Sequence, residues 1–253
     1  MTALRSLLFS VWFFGLTTVM TLATLPMPLL GRRVAVGYAR FWSWLMLWGL
    51  RAICGIRYEV TGWEYLPATG PALIASMHQS AFDTIVWSVL APRFTYILKR
   101  ELTRIPLFGG MLRLTGMIAV DRAAGAAAMR GMLRAADRAV AEQRQIIIFP
   151  EGTRVAPGTR ARLQPGVAAL AARTGLPVIP VATDSGRHWG RRAFLKPPGV
   201  IHIAIQPPID PGLPRAVLMR RLEAAFAAGS ATFAPPVDNS VGGPPAGFPS
   251  RAS

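Results

Sequence analysis

Only one cysteine, Cys54, and three histidines, His78, His188 and His202, occur in the 253-residue sequence. One cysteine excludes an intramolecular disulfide framework and any cysteine-rich metal site. Cys54 lies in an apolar segment, where a small buried hydrophobe is the ordinary reading of a thiol. Acidic residues are scarce as well: 12 against 28 lysines and arginines, a formal charge of +16. The surplus is mostly arginine scattered along the whole chain. A nucleic-acid binder gathers such charge into a stripe interleaved with exposed aromatics, so nucleic acid is not the expected partner. An anionic membrane surface or an anionic substrate fits better. No Gly-x-Ser-x-Gly elbow occurs, which removes the signature of a serine hydrolase.

Charge is also missing from residues 7–30, between Arg5 and the Arg32-Arg33 pair. That length suffices for one bilayer crossing, although Pro26 and Pro28 interrupt a helix near its end. A second apolar segment, 34–56, carries Arg40 and Arg51 among Trp42, Trp44 and Trp48. Tryptophan with arginine suits the headgroup interface better than the hydrocarbon centre. The two segments together predict a membrane-associated helical hairpin over 1–56 that dips into, or lies along, one leaflet. A cleaved signal peptide and an ordinary spanning helix are the other readings of the first segment.

From residue 57 the texture changes to short strands alternating with amphipathic helices. Strands are expected at 57–62, 72–77, 94–98, 117–120, 145–149, 178–182 and 200–205. Helices are expected at 81–90, 107–114, 125–143, 165–174 and 214–228. This alternation predicts an α/β domain over 57–229, with a mostly parallel central sheet flanked by helices. Residues 230–253 are rich in Pro, Gly and Ala with almost no apolar pattern, and read as a disordered tail.

The chemistry concentrates at strand ends, where open α/β sheets bind ligands. The apolar run 145–149 stops at Pro150, which cannot donate to a ladder. Glu151, Gly152, Thr153 and Arg154 follow directly. Gly152 allows close approach of an oxyanion to the backbone, and Arg154 offers a planar fork for phosphate or carboxylate. His78 follows another strand end, with Asp83 five positions on. Five residues on a regular helix leave two side chains roughly 140° apart, so the pair meets only if His78 precedes the helix. With Asp83 on one ring nitrogen, the other is available as a general base. Asp121 and Arg122 stand at what reads as the next strand end. His202 alternates within a strand and reads as partly buried, and no role is evident for His188.

Four blocks in this order resemble the glycerolipid acyltransferase family, typified by lysophosphatidic acid acyltransferase. They are His78 to Asp83, Gly116 with Arg122 six residues on, Phe149-Pro-Glu-Gly-Thr-Arg154, and Val178-Ile-Pro-Val181. Residues 99–102 and 105–109 add to the likeness, which covers about 55–210. The sequence departs from many members at Met77, where they carry Asn, and at Ala119, where they carry Phe. The resemblance implies transfer of a fatty acyl group from acyl-CoA or acyl-carrier protein to a lysophospholipid hydroxyl, with no cofactor and no metal. It implies His78 as general base, with Asp83 fixing its tautomer. Arg122 and Arg154 would hold the acceptor phosphate, in a substrate site that also includes Gly116, Glu151, Gly152 and Thr153. Pro180 would shape the pocket. The expected location is the inner membrane, with the catalytic domain on the cytoplasmic side. Two other functions fit the same residues: acylation of another lyso-lipid such as lyso-ornithine lipid, or non-catalytic binding of anionic lipid.

Overall fold

The computed structural model describes residues 1–159 and 161–233, apart from the side chain of Arg122. The chain opens with three helices, α1 (Thr2–Leu22), α2 (Met27–Leu30) and α3 (Arg32–Cys54). Gly55, with φ near +70°, ends α3 in the left-handed conformation that glycine adopts without a Cβ penalty. The chain then enters β1 (Ile56–Thr61), β2 (Ala72–Ser76), α4 (Phe82–Leu90), β3 (Phe94–Lys99), α5 (Phe108–Leu114), β4 (Ile118–Val120) and α6 (Gly125–Ala141). It finishes with β5 (Gln145–Ile148), α7 (Gly166–Thr174), β6 (Val178–Thr183), β7 (Gly199–Ile205) and α8 (Arg215–Ala231). The tail expected from 230 lies outside the described residues from 234 onward; its first two residues close α8.

All seven expected strands join one sheet in the order β1-β7-β6-β2-β5-β3-β4. The five strands from β6 to β4 run parallel, whereas β7 pairs antiparallel with β6 and carries β1 along with it. Alternation along β2 and β5 divides the core. Leu73, Ala75, Ile146 and Ile148 face α6, α7 and α8; Ile74 and Ile147 face α1, α3 and α4. Each isoleucine fully removed from water here contributes roughly 1.5–3 kcal/mol, which fixes the register, since a one-residue slip would exchange the faces.

The N-terminal helices are a layer of this core. Phe9 of α1 and Leu50 and Cys54 of α3 are buried in the same cluster as Ile74, Val86 and Ile147. Phe9 also meets Trp189 edge-on at 5.3 Å, and the Ser6 hydroxyl accepts from the Lys196 amide at 2.9 Å. The opposite face of the hairpin is bare. Leu4, Leu7, Leu8, Val11, Phe14, Val19 and Leu22 of α1 are exposed, as are Leu29, Phe41, Trp44 and Trp48. Such a contiguous apolar surface marks a membrane or protein contact. By length and composition α1 could cross a bilayer, and α3, with its arginines and tryptophans, is amphipathic.

Candidate active site

β2 and β5 are neighbours in register, Ala75 beside Ile148, so the segments leaving them emerge together at one edge of the sheet. The His78 backbone is clamped between them. Its N–H donates to Glu151 Oε2 at 2.6 Å, and its carbonyl accepts from the Val155 amide at 2.8 Å. His78 thus precedes α4 rather than sitting within it, the one arrangement that allows it to meet Asp83. Asp83 lies in the first turn of α4 and is 2% exposed. Its Oδ2 accepts from the Gln79 amide at 2.7 Å, the Ser80 amide at 2.8 Å and His78 Nδ1 at 3.2 Å. Two amides and the imidazole thus fix the position of one carboxylate oxygen at the helix N-terminus.

The His78 ring stacks on Phe149, centroids 4.2 Å apart, and Phe149 in turn lies over Tyr96. Nε2 has no partner among the described residues and faces away from the Asp83 contact. Ser80 is fully buried, with its Oγ accepting from the Phe82 amide at 3.1 Å, as a helix-capping hydroxyl does. Gln79 reaches across to the loop after β6, where its Oε1 accepts from the Gly186 amide at 3.0 Å.

The turn after β5 supplies the rest. Gly152, with φ near +72°, donates to the Phe149 carbonyl at 3.0 Å and closes the turn. Thr153 is exposed. Arg154 is half-buried and has no hydrogen-bond or ion-pair partner among the described residues. Burial lowers its pKa, the nearby Asp83 charge opposes that, and Arg191 adds to it. Arg191 therefore approaches Arg154 from the loop after β6, a neighbour that no sequence period announced. Glu151 is 7% exposed, and burial, reinforced by the Asp83 charge, pushes its carboxyl up to about 8 against the amide bond from His78.

The sign of that shift has a consequence for stability. Between the unfolded value of 4.5 and about 8, the folded chain binds a proton that the unfolded chain releases. The stabilisation is full at low pH and is lost as pH rises through 8. Glu151→Gln keeps an acceptor for the His78 amide and removes this titration. Urea midpoints at pH 5 and pH 9 should converge in the variant, whereas the wild type should lose on the order of a few kcal/mol between them.

Two expectations require correction. Gly116 and Arg122 do not share a mouth, because they flank the same three-residue strand, β4, at its two ends. Six residues of extended chain span about 20 Å. Gly116 therefore sits at the opposite edge of the sheet from His78. There its carbonyl accepts from Thr95 Oγ1 and Arg144, and a Cβ would collide with the Arg32 and Arg144 side chains. Its glycine identity answers to a backbone φ near +74° together with this crowding. The end of β4 is also not next to that of β5, because β3 lies between them, a separation of about 10 Å. Asp121 there caps the following turn and pairs with Arg100 at 3.2 Å; the Arg122 side chain is outside the described residues.

The molecule has a second histidine–carboxylate pair, His202 Nδ1 with Asp184 Oδ2 at 3.0 Å. Asp184 also accepts the His202 amide, and the ring stacks against Phe233. Sequence reading placed His202 as a partly buried strand residue, which it is, and missed the partner. His188 Nδ1 lies 3.0 Å from the Pro197 carbonyl, a structural contact.

A family model described as Acyltransferase matches residues 57–184. A 1-acyl-sn-glycerol-3-phosphate acyltransferase of Pseudomonas aeruginosa is 35% identical over 211 residues, 81% of this chain and 80% of that one. The alpha form of that enzyme from Mus musculus is 31% identical over 170 residues, 66% of this chain and 59% of that one. Among solved structures, the 1-acyl-sn-glycerophosphate (LPA) acyltransferase PlsC of Thermotoga maritima shares the fold. The TM-score is 0.74 at 24% identity, over 92% of this chain and 98% of that one.

Proposed function

The chain belongs to the acyltransferase family, and from that premise we propose that it acylates the sn-2 hydroxyl of 1-acyl-sn-glycerol 3-phosphate to give phosphatidic acid. The acyl donor is a thioester, acyl-CoA or acyl-carrier protein. The observation that carries this reading is a His78–Asp83 pair at 3.2 Å beside a half-buried Arg154, with neither Nε2 nor the guanidinium partnered among the described residues.

In this mechanism Asp83 holds the His78 Nδ1–H, leaving Nε2 as the base. Nε2 takes the proton of the acceptor hydroxyl as its oxygen attacks the thioester carbonyl carbon. The tetrahedral intermediate collapses with cleavage of the carbon–sulfur bond, and the imidazolium returns the proton to the departing thiolate. A thioester has a good leaving group, so base catalysis and alignment of the two substrates account for the rate. Arg154 binds the acceptor phosphate bidentately, with Arg122 assigned to the same anion by its place in the second block. Gly152 and Thr153 border that anion. Glu151 acts through the His78 backbone, which it pins by the 2.6 Å bond.

The bare apolar face of residues 1–56 lies along one leaflet, on the cytoplasmic side of the inner membrane, and the 57–229 domain works at that surface. Single-chain acceptor and double-chain product then enter and leave laterally. Purified, detergent-solubilised protein should convert labelled acyl thioester and 1-acyl-sn-glycerol 3-phosphate to labelled phosphatidic acid. Transfer only to a phosphate-free lyso-lipid would keep the acyltransferase and overturn the acceptor.

A further inference from the structure

A cavity of about 550 Å³ opens at the sheet edge opposite His78, away from the proposed acyl-transfer mouth. It is lined by Arg32 and Arg33 from the start of α3, Arg93 before β3, and Glu142 and Arg144 between α6 and β5. Four guanidiniums thus face a single carboxylate. Arg144 forms the floor and is buried. It donates to the carbonyls of Phe94, Thr115 and Gly116 at 2.5, 2.9 and 2.6 Å, which fixes its plane. Arg32 meets Glu142 at 2.8 Å, and Arg93 donates to the Glu142 main-chain carbonyl at 2.7 Å. Arg33 is exposed and has no hydrogen-bond or ion-pair partner among the described residues. Burial, with Arg32 and Arg93 adding to it, pulls the Arg144 guanidinium down to about 10, so this crowd of positive charge is only partly offset by Glu142.

Val36, Pro92 and Phe94 complete the lining. Leu29 and Leu30 at the end of α2 and Val34 in the first turn of α3 adjoin Arg32 and Arg33 in the chain, and all three are exposed. They continue the bare apolar face of the hairpin. An unbalanced guanidinium cluster at the end of an apolar surface matches a ligand with a phosphate at one end and hydrocarbon at the other.

We propose that this cavity is a headgroup site for an intact anionic phospholipid, distinct from the acceptor site. The phosphodiester sits between Arg33 and Arg93 above Arg144, and the acyl chains run past Leu29, Leu30 and Val34 into the leaflet. Bound there, the lipid fastens the far end of the hairpin to the membrane while the other end borders the catalytic edge. A free phosphate satisfies the same arginines and leaves the apolar rim uncovered.

The test is binding of dioctanoyl phosphatidylglycerol, dioctanoyl phosphatidylcholine and inorganic phosphate to the full-length protein in detergent, by calorimetry. Wild type should bind the glycerol lipid at least about tenfold more tightly than either other probe, and Arg33→Gln/Arg93→Gln should lose about tenfold or more of that affinity. Arg154→Ala should bind it as wild type does, which separates this site from the acceptor mouth. Acyl transfer to a soluble short-chain acceptor should stay within about twofold of wild type in the double variant, as evidence of an intact fold. Equal binding of the two lipids, or unchanged affinity in the double variant, would overturn the proposal. Inorganic phosphate binding as tightly as the anionic lipid would replace it with a free-anion site.

Discussion

His78→Ala should lower kcat/KM for acyl transfer by about 10³-fold or more, at unchanged fold. A positioned general base contributes roughly 10²–10⁴, and in the proposed mechanism the ring also reprotonates the leaving thiolate. The ring is part-buried on Phe149, but its backbone clamps to Glu151 and Val155 survive truncation. Thermal unfolding should therefore fall by no more than several degrees. The second pair supplies a control from the same molecule. His202 is also held by a carboxylate, Asp184, but its ring stacks on Phe233 rather than on Phe149. His202→Ala should retain activity within a few-fold of wild type. Equal losses in the two variants would mean that the assay is reading stability.

Arg154→Ala should raise KM for 1-acylglycerol phosphate by about 10²-fold, with little change for monoacylglycerol. Two charge-assisted hydrogen bonds to a phosphate are worth on the order of 3 kcal/mol, and 1.4 kcal/mol is a factor of ten. Burial lowers the pKa of this arginine, and the nearby Asp83 charge offsets that only in part. Removing it from the empty enzyme should accordingly leave stability unchanged or slightly raised. Arg154→Lys should recover part of the lost affinity, since it restores the charge without the planar fork. Equal losses on both acceptors would assign Arg154 to the fold or to the donor.

Much of this arrangement is legible in residue order because it is local. The short continuous apolar runs of β2 and β5 identify strands buried on both faces. His78 and Asp83 lie five residues apart across a strand-to-helix junction, and Pro150 ends β5 where the turn chemistry begins. What residue order leaves open is non-local geometry. Strand direction is carried by connections: residues 184–198 link β6 to β7 without a crossover helix, so β7 returns antiparallel and takes β1 with it. Strand adjacency is equally silent, so β3 came between β5 and β4 unannounced. Gly116 could have been judged correctly, since a strand between two residues separates them by its own length. Arg191 could not, because only the return of the loop after β6 brings it to Arg154.

The central claim is direct transfer of the acyl group to an acceptor hydroxyl deprotonated at His78. It is tested most directly by a single-turnover, acid-quenched experiment with excess enzyme and labelled acyl thioester, following label on both protein and lipid. Without acceptor, the label should stay on the thioester and none should become covalently bound to the chain. With 1-acyl-sn-glycerol 3-phosphate, it should pass to phosphatidic acid in one phase, and that phase should vanish in His78→Ala. Stoichiometric label on the protein before acceptor is added, or undiminished transfer by folded His78→Ala, would contradict the account.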